Sequence, residues 1–289
     1  MLVASLLATS TLLAGCSASS STESGALSAQ EVADRYGYND ATATLSPVFA
    51  LVPQYKDPKD GYARDLLAAQ CLAGVVEYRV VAPDEQTSLI DQRTGQLTFN
   101  QQVAAQWGYP QLHMPAGQDS AVPNGVTITP AIQSAMRACG EKADERLGTP
   151  PQRVLADIED AGWQALSNSS EVQDAITQWR SCMEPAGLID LPSQPSEMPP
   201  ASVASDSQVQ DAQGNLVPKP DAVASDREKE VAVLDAQCRA QVGYDTAVLH
   251  ARAEAELTAI GQNLEGFEAS RGAYEDYEQK LDEVINELG

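Results

Sequence analysis

The sequence predicts a mainly α-helical domain, stapled by two disulfides and closed by a long C-terminal helix. Three observations carry this expectation. Hydrophobic residues make up 43% of the chain but aromatics only 5%, so Ala, Leu and Val must fill the core, which suits closely packed helices. Helix-start signals recur ahead of apolar residues spaced three and four apart. Four cysteines, Cys71, Cys139, Cys182 and Cys238, lie within those helical stretches, and outside a reducing compartment an even set reads as disulfides. Minor short strands are expected around residues 79–128.

Residues 1–15 are apolar or small and end in Leu13-Ala14-Gly15, directly before Cys16. The pattern resembles a bacterial lipobox, which implies a diacylglyceryl thioether on Cys16 and cleavage before it. The apolar run is shorter than the roughly 20 residues a spanning helix needs and fits a signal peptide. A buried N-terminal helix with a chance cysteine is the plainer alternative. No Lys or Arg precedes Cys16, which points to a start codon upstream. Residues 16–27 then read as a lipidated cysteine and a small, polar, flexible tether, with a root-mean-square reach of about 18 Å.

A helical domain is expected over residues 28–187. Ser28 and Glu31 form a capping box ahead of the first helix, and Gly37 ends it. Its phrase AQEVADRYGY (29–38) recurs as NQQVAAQWGY (100–109), a second short helix closed by glycine and followed by tyrosine. Tyr62–Tyr78 reads as a helix with Leu66, Leu67, Cys71 and Val75 on one face. VEYRVV (76–81), QLTF (96–99) and VTIT (126–129) are the strand candidates. Thr129-Pro130 starts a helix running through Cys139 to Leu147, with threonine as cap and proline at its first position. A helix around Val154–Leu166 follows, and Ser170 with Gln173 opens the one carrying Trp179 and Cys182.

Residues 188–224 hold six prolines and many Ser, Asp and Gln, and read as a Pro-rich loop or linker. Ser225 then caps residues 225–289, a long helical segment without proline. An unbroken helix there would extend about 90 Å, although Gly243, Gly261, Gly266 and Gly272 each weaken it by up to about 1 kcal/mol. Its second half carries a heptad-like stripe: Ala253, Leu257, Ile260, Leu264, Phe267, Tyr274, Leu281, Ile285 and Leu288, interrupted by Arg271 and Glu278. Either the stripe covers its own domain or it is a partner interface anchored by Leu264, Phe267, Leu281 and Ile285.

Four cysteines allow three connectivities, and loop entropy separates them by only about half a kcal/mol. Helices consecutive in sequence usually pack together, so Cys71–Cys139 and Cys182–Cys238 are the expected pairs.

Net charge is −23, with 41 acidic against 18 basic residues. This argues against a nucleic-acid partner and against adhesion to bare anionic lipid, both of which need a basic surface. A solvated acidic surface explains it most simply. The only histidines are His113 and His250, and no C-x-x-C pair, nucleophile elbow or phosphate loop occurs. No metal or cofactor is expected, and no catalytic residue stands out.

Four phrases read together add a resemblance. They are AAQCLAG (68–74), AMRACGEKADERLG (135–148), WRSCMEPAG (179–187) and SDREKEVAVLDAQC (225–238). Their order resembles a family of uncharacterised actinobacterial envelope lipoproteins. The matching positions are Trp179, Cys182, Met183 and Gly187, then Ser225, Asp226, Glu228, Ala232, Asp235 and Cys238, with the Trp107-Gly108-Tyr109 phrase in the same pattern. The resemblance spans roughly residues 60–289. It implies a cysteine framework with a long C-terminal helix and carries no activity.

The function expected from these readings is that of a membrane-anchored envelope lipoprotein, held through lipid on Cys16 at the extracytoplasmic face. Its role would be structural, interaction-mediating or transporter-accessory, with a protein partner on the C-terminal helix. A solute-binding lipoprotein of an ABC transporter is the alternative, and an extracytoplasmic enzyme the weaker one.

Overall fold

Side-chain caps fix where the helices begin. A computed structural model describes residues 26–82, 99–113, 122, 126–149, 152–204, 208–210, 216–219 and 223–289. Helix α1 (Ala29–Tyr36) opens on the Ser28–Glu31 capping box and closes on Gly37, whose φ of 68° is left-handed. After α2 (Pro47–Leu51), α3 (Pro58–Leu72) starts at Asp57, whose carboxylate accepts from the Lys59 amide. It begins before Tyr62 and stops before Val75, so Val75 leaves the expected apolar face and is half exposed. Next come α4 (Gln101–Trp107), α5 (Pro110–His113) and α6 (Pro130–Leu147), the last capped by Thr129. Then α7 (Arg153–Ala165) and α8 (Ser170–Met183) follow. The cap of α8 is Ser169, which accepts from the Val172 amide, one residue before the expected Ser170.

The expected long helix is broken into three. Helices α10 (Asp226–Val242) and α11 (Tyr244–Gln262) meet at Gly243, in the left-handed region at φ 66°. Asn263 separates α11 from α12 (Leu264–Leu288), a 25-residue helix, and its side chain accepts from the Gly266 amide. The two bends turn the segment into a spine on which the rest of the chain packs. Helices α4 and α8 pack on α10; α1, α7 and α8 on α11; α3 and α6 on α12. Three apolar clusters follow the same division. One joins Tyr109, Trp179, Met183, Val231 and Ala232. A second joins Val32, Phe49, Leu155, Ile260 and Phe267. The third joins Leu67, Leu147, Tyr277, Leu281 and Val284.

The heptad-like stripe is therefore core. Phe267 and Leu281 are buried in the second and third clusters, and Leu264 and Ile285 pack against them half-buried. Of the two readings of the stripe, this packing fits the one in which it covers its own domain: burial against the chain's own helices already removes much of the stripe's apolar surface from water. The two charged interruptions are docked as well. Arg271 pairs with Glu268 at 3.1 Å, and Glu278 pairs with Lys59 at 3.1 Å.

The described part of the Pro-rich stretch packs on the domain as a strap. Pro195, Met198, Val203 and Ala204 are buried, and α9 (Ala201–Ala204) lies within it. It also holds the two strands seen among the described residues, β1 (Gln208–Gln210) and β2 (Leu216–Pro218), an antiparallel pair with Val209 opposite Val217. No strand forms at 76–81 or 126–129. Residues 96–98 of the third strand candidate lie outside the described residues, as do the signal peptide and Cys16. Both disulfides form as expected: Cys71–Cys139 joins α3 to α6, and Cys182–Cys238 joins α8 to α10, each with a Cα separation of 5.7 Å.

Candidate functional site: an acidic groove and two buried carboxylate nodes

A groove of about 1060 Å³ runs between α1, the turn after it, the start of α8 and the middle of α11. Small residues of packed helices, including Ala33 and Ala253, form its floor, because two helices approach closely only where side chains are short. Asp34, Asp40, Glu171 and Glu254 line it, with no Lys or Arg among its lining residues. His250 stands between two of these carboxylates, with Nδ1 3.5 Å from Glu171 and Nε2 3.9 Å from Asp40. Tyr38 closes one side. Its hydroxyl donates to the Leu45 carbonyl at 3.0 Å, and burial pushes that hydroxyl well above its ordinary pKa, with Asp40 and Glu256 adding to the effect.

Beneath the groove lies the first of two buried charged nodes. Arg252 and Glu256, one turn apart on α11, are both fully buried. Arg252 donates to Glu256 Oε1 from Nε at 3.1 Å and Nη2 at 2.8 Å. The Val48 amide donates to Oε2 at 3.0 Å, and Ser46 Oγ accepts from Arg252 Nη2 at 3.2 Å. The guanidinium stacks 4.1 Å over the Trp163 ring, while Nη1 has no hydrogen-bond partner. Burial pushes the Glu256 carboxyl up, against the pull of Arg252 and the Val48 amide.

The second node sits on α10. Asp235 is fully buried and accepts from Trp179 Nε1 at 2.8 Å, Tyr109 Oη at 3.3 Å, and Arg239 Nε and Nη2 at 2.9 Å each. Arg239 also donates to the Pro195 carbonyl and lies 4.8 Å over the Phe99 ring. Two turns earlier, buried Glu228 accepts from the Tyr109 amide at 2.9 Å. Two of the four phrases that carry the resemblance thus meet in one place with the Gly108-Tyr109 phrase: Trp179, Cys182, Glu228, Asp235 and Cys238.

Chemically, the nodes are supports, since a buried charge is tolerated only when paired and hydrogen-bonded. The groove offers a histidine flanked by acids. Among the described residues, no group of three His, Cys, Asp or Glu is placed to hold a metal ion. His113 ends α5, and its side chain lies outside the described residues. No family model, curated protein or solved structure matches the chain.

The nodes were not singled out in the sequence. Their signal was present as D-x-x-x-R at 235–239 and R-x-x-x-E at 252–256, but an acidic chain offers many such pairs on solvated faces. The groove had no sequence signal, because its walls come from three segments far apart in the chain.

Proposed function

We propose that this chain is a lipid-anchored lipoprotein of the extracytoplasmic membrane face, acting by contact rather than catalysis in a structural, interaction or transporter-accessory role. The observation that carries the reading is Leu13-Ala14-Gly15-Cys16 and its polar tether, joined to a domain whose four other cysteines are disulfide-bonded. Paired structural disulfides fit an oxidising compartment. No helix of the described residues is long and apolar enough to cross a membrane, so lipid on Cys16 would supply the attachment. Two acyl chains suffice where one is marginal, at about 0.8 kcal/mol per buried methylene. The four-phrase cysteine framework supports membership of the actinobacterial envelope lipoproteins it resembles. A partner on the C-terminal helix would meet the exposed, mostly acidic face of α12, with Glu265, Glu275, Asp276 and Glu283. The net charge of −23 supports a role without nucleic acid.

Detergent-phase partition in an actinobacterial host tests the anchor. Wild type is expected in the detergent phase and Cys16→Ser in the aqueous phase; identical partition of the two overturns the reading. The groove favours one second reading, a solute-binding lipoprotein of a transporter. Saturation-transfer NMR of the delipidated domain against mixed amines, amino acids and sugars tests it, with contact expected at His250. If no compound is seen at the groove, this second reading falls.

A further inference from the structure

We infer that the corner between α11 and α12 is the bilayer-facing end of the folded chain, so that the groove beside it opens within tether reach of the lipid surface. The inference rests on the anchoring proposed above and adds an orientation to it.

The chain enters the fold at this corner. The Leu27 amide donates to the Gly261 carbonyl at 3.1 Å. A Cβ on Gly261 would lie 2.1 Å from the Leu27 carbonyl oxygen, so the two backbones are in contact and only glycine permits it. Leu27 packs against the second apolar cluster, and Ser28 is bound into the cap of α1. From Leu27 onward the chain is therefore fixed to the body. Only residues 17–26 separate it from Cys16, and at no more than about 3.6 Å per residue they span at most about 36 Å.

The two arms of the spine run away from this point. The 25 residues of α12 carry its far end about 37 Å from the corner. Helix α3 follows in the same direction: Lys59 meets Glu278 and Asp282, and Tyr62 lies beside Gly289. The Cys71–Cys139 staple comes later on α3. Along the other arm, the 19 residues of α11 place Gly243 and the Asp235 node about 28 Å away. Glu265 at the corner is exposed and acidic, so the corner faces lipid without adhering to it, at a height set by the tether. The first turn of α1 and Glu254 and Leu257 of α11 wall the groove next to the entry point, and a ligand would reach it from the layer nearest the membrane.

The test is energy transfer in proteoliposomes. Full-length lipidated protein carries a donor dye on an unnatural amino acid at exposed Gln262, beside the corner, or at exposed Gln133, on the outer end of α6. The bilayer carries an acceptor lipid. Transfer is expected to be several-fold stronger from Gln262 than from Gln133. Equal transfer, or stronger transfer from Gln133, overturns the orientation while flotation with the liposomes still upholds the anchor. Failure of wild type to float overturns both.

Discussion

Two halves of the molecule use the same parts and finish them differently. In one, α4 with Gly108-Tyr109, short α5, Trp-bearing α8 and the spine helix α10 surround Asp235. In the other, α1 with Gly37-Tyr38, short α2, Trp-bearing α7 and the spine helix α11 surround Glu256. The repeated phrase occupies corresponding places, with Ala33 and Ala104 both buried against their spine helices. Each node has a carboxylate and an arginine one turn apart, and each guanidinium lies on an aromatic face. The α10 half is stapled by Cys182–Cys238, and its arginine reaches the Pro195 carbonyl as well as Asp235. The α11 half has no disulfide, leaves Arg252 Nη1 without a partner, and bears the groove. One arrangement has been closed into a support, and the other kept open enough to hold a surface cavity.

The largest expected effect comes from breaking either node. Glu256→Ala strands a fully buried guanidinium and the Val48 amide, and Asp235→Ala strands Trp179, Tyr109 and Arg239. Removing one member of a buried pair costs about 3–5 kcal/mol, read from urea unfolding. The comparison is sharpened by Arg252→Met combined with Glu256→Leu, which removes both charges. That double variant should regain most of the loss, because the wild-type pair already leaves one donor unmatched and, of the backbone donors, only the Val48 amide then loses its acceptor. The corresponding Arg239→Met, Asp235→Leu variant should regain less, since it still orphans Trp179 Nε1 and the Tyr109 hydroxyl.

Next in size is the staple. Replacing Cys182 and Cys238 together by Ala should lower stability by about 2–5 kcal/mol, also by urea unfolding. Hydrogen exchange is expected to rise along α8 and α10 more than along α7 and α11. A uniform rise would mean that the two halves unfold as one unit, and the division drawn above would fail.

Much of this arrangement was legible in the sequence, for local reasons. Caps at Ser28, Thr129 and Ser225 bind their own first turns, so three- and four-residue patterns located the helices. The cysteine pairing followed from helices adjacent in sequence. The stripe from Ala253 to Leu288 was visible, but its destination was not, because periodicity shows that a face is apolar and not what covers it. The breaks at Gly243 and Asn263 depended on tertiary packing: Gly266 and Gly272 are equally weak formers, yet they lie inside α12. The packing of the Pro-rich loop was not legible because proline content signals irregular backbone, which can still bury Pro195 and Met198.

Smaller effects are expected from glycines that face the nodes. A Cβ at Gly162 would lie 2.6 Å from Glu256 Oε1, and one at Gly108 2.5 Å from Glu228 Oε1. Gly108 also has φ at 67°, a conformation that costs a side-chain-bearing residue about 1–2 kcal/mol. Gly162→Ala should therefore cost about 1–3 kcal/mol from overpacking alone. Gly108→Ala should cost more, because strain adds to overpacking. Thermal unfolding of the two variants orders them; a smaller loss at Gly108 would mean that Glu228 yields more easily than Glu256.

The smallest effect concerns how α1 is held to the open half, and it carries a pH signature. Tyr36 donates to Glu268 Oε1 at 2.5 Å, Arg35 lies 3.2 Å from the same oxygen, and Arg271 lies 3.1 Å from Oε2. The Tyr36 hydrogen bond, then Arg271 and Arg35, hold the Glu268 carboxyl below its ordinary value of 4.5, while burial opposes them. A depressed carboxyl binds its proton less tightly in the folded chain than in the unfolded one. Its contribution is thus complete above the unfolded value and lost as pH falls through the folded one. Glu268 is partly exposed, so the contribution is at the scale of a surface pair, about 0.2–1 kcal/mol. Wild type and Glu268→Gln should therefore differ by that amount in urea unfolding at pH 7. The gap should shrink as pH drops below 4.5 and vanish once Glu268 is protonated. Among the described residues no matching carboxylate links α4 to α10 at the surface: the turn after α4 is held by Glu228 and Asp235, both inside. A gap that stayed constant down to low pH would show that Glu268 holds α1 by packing rather than by charge.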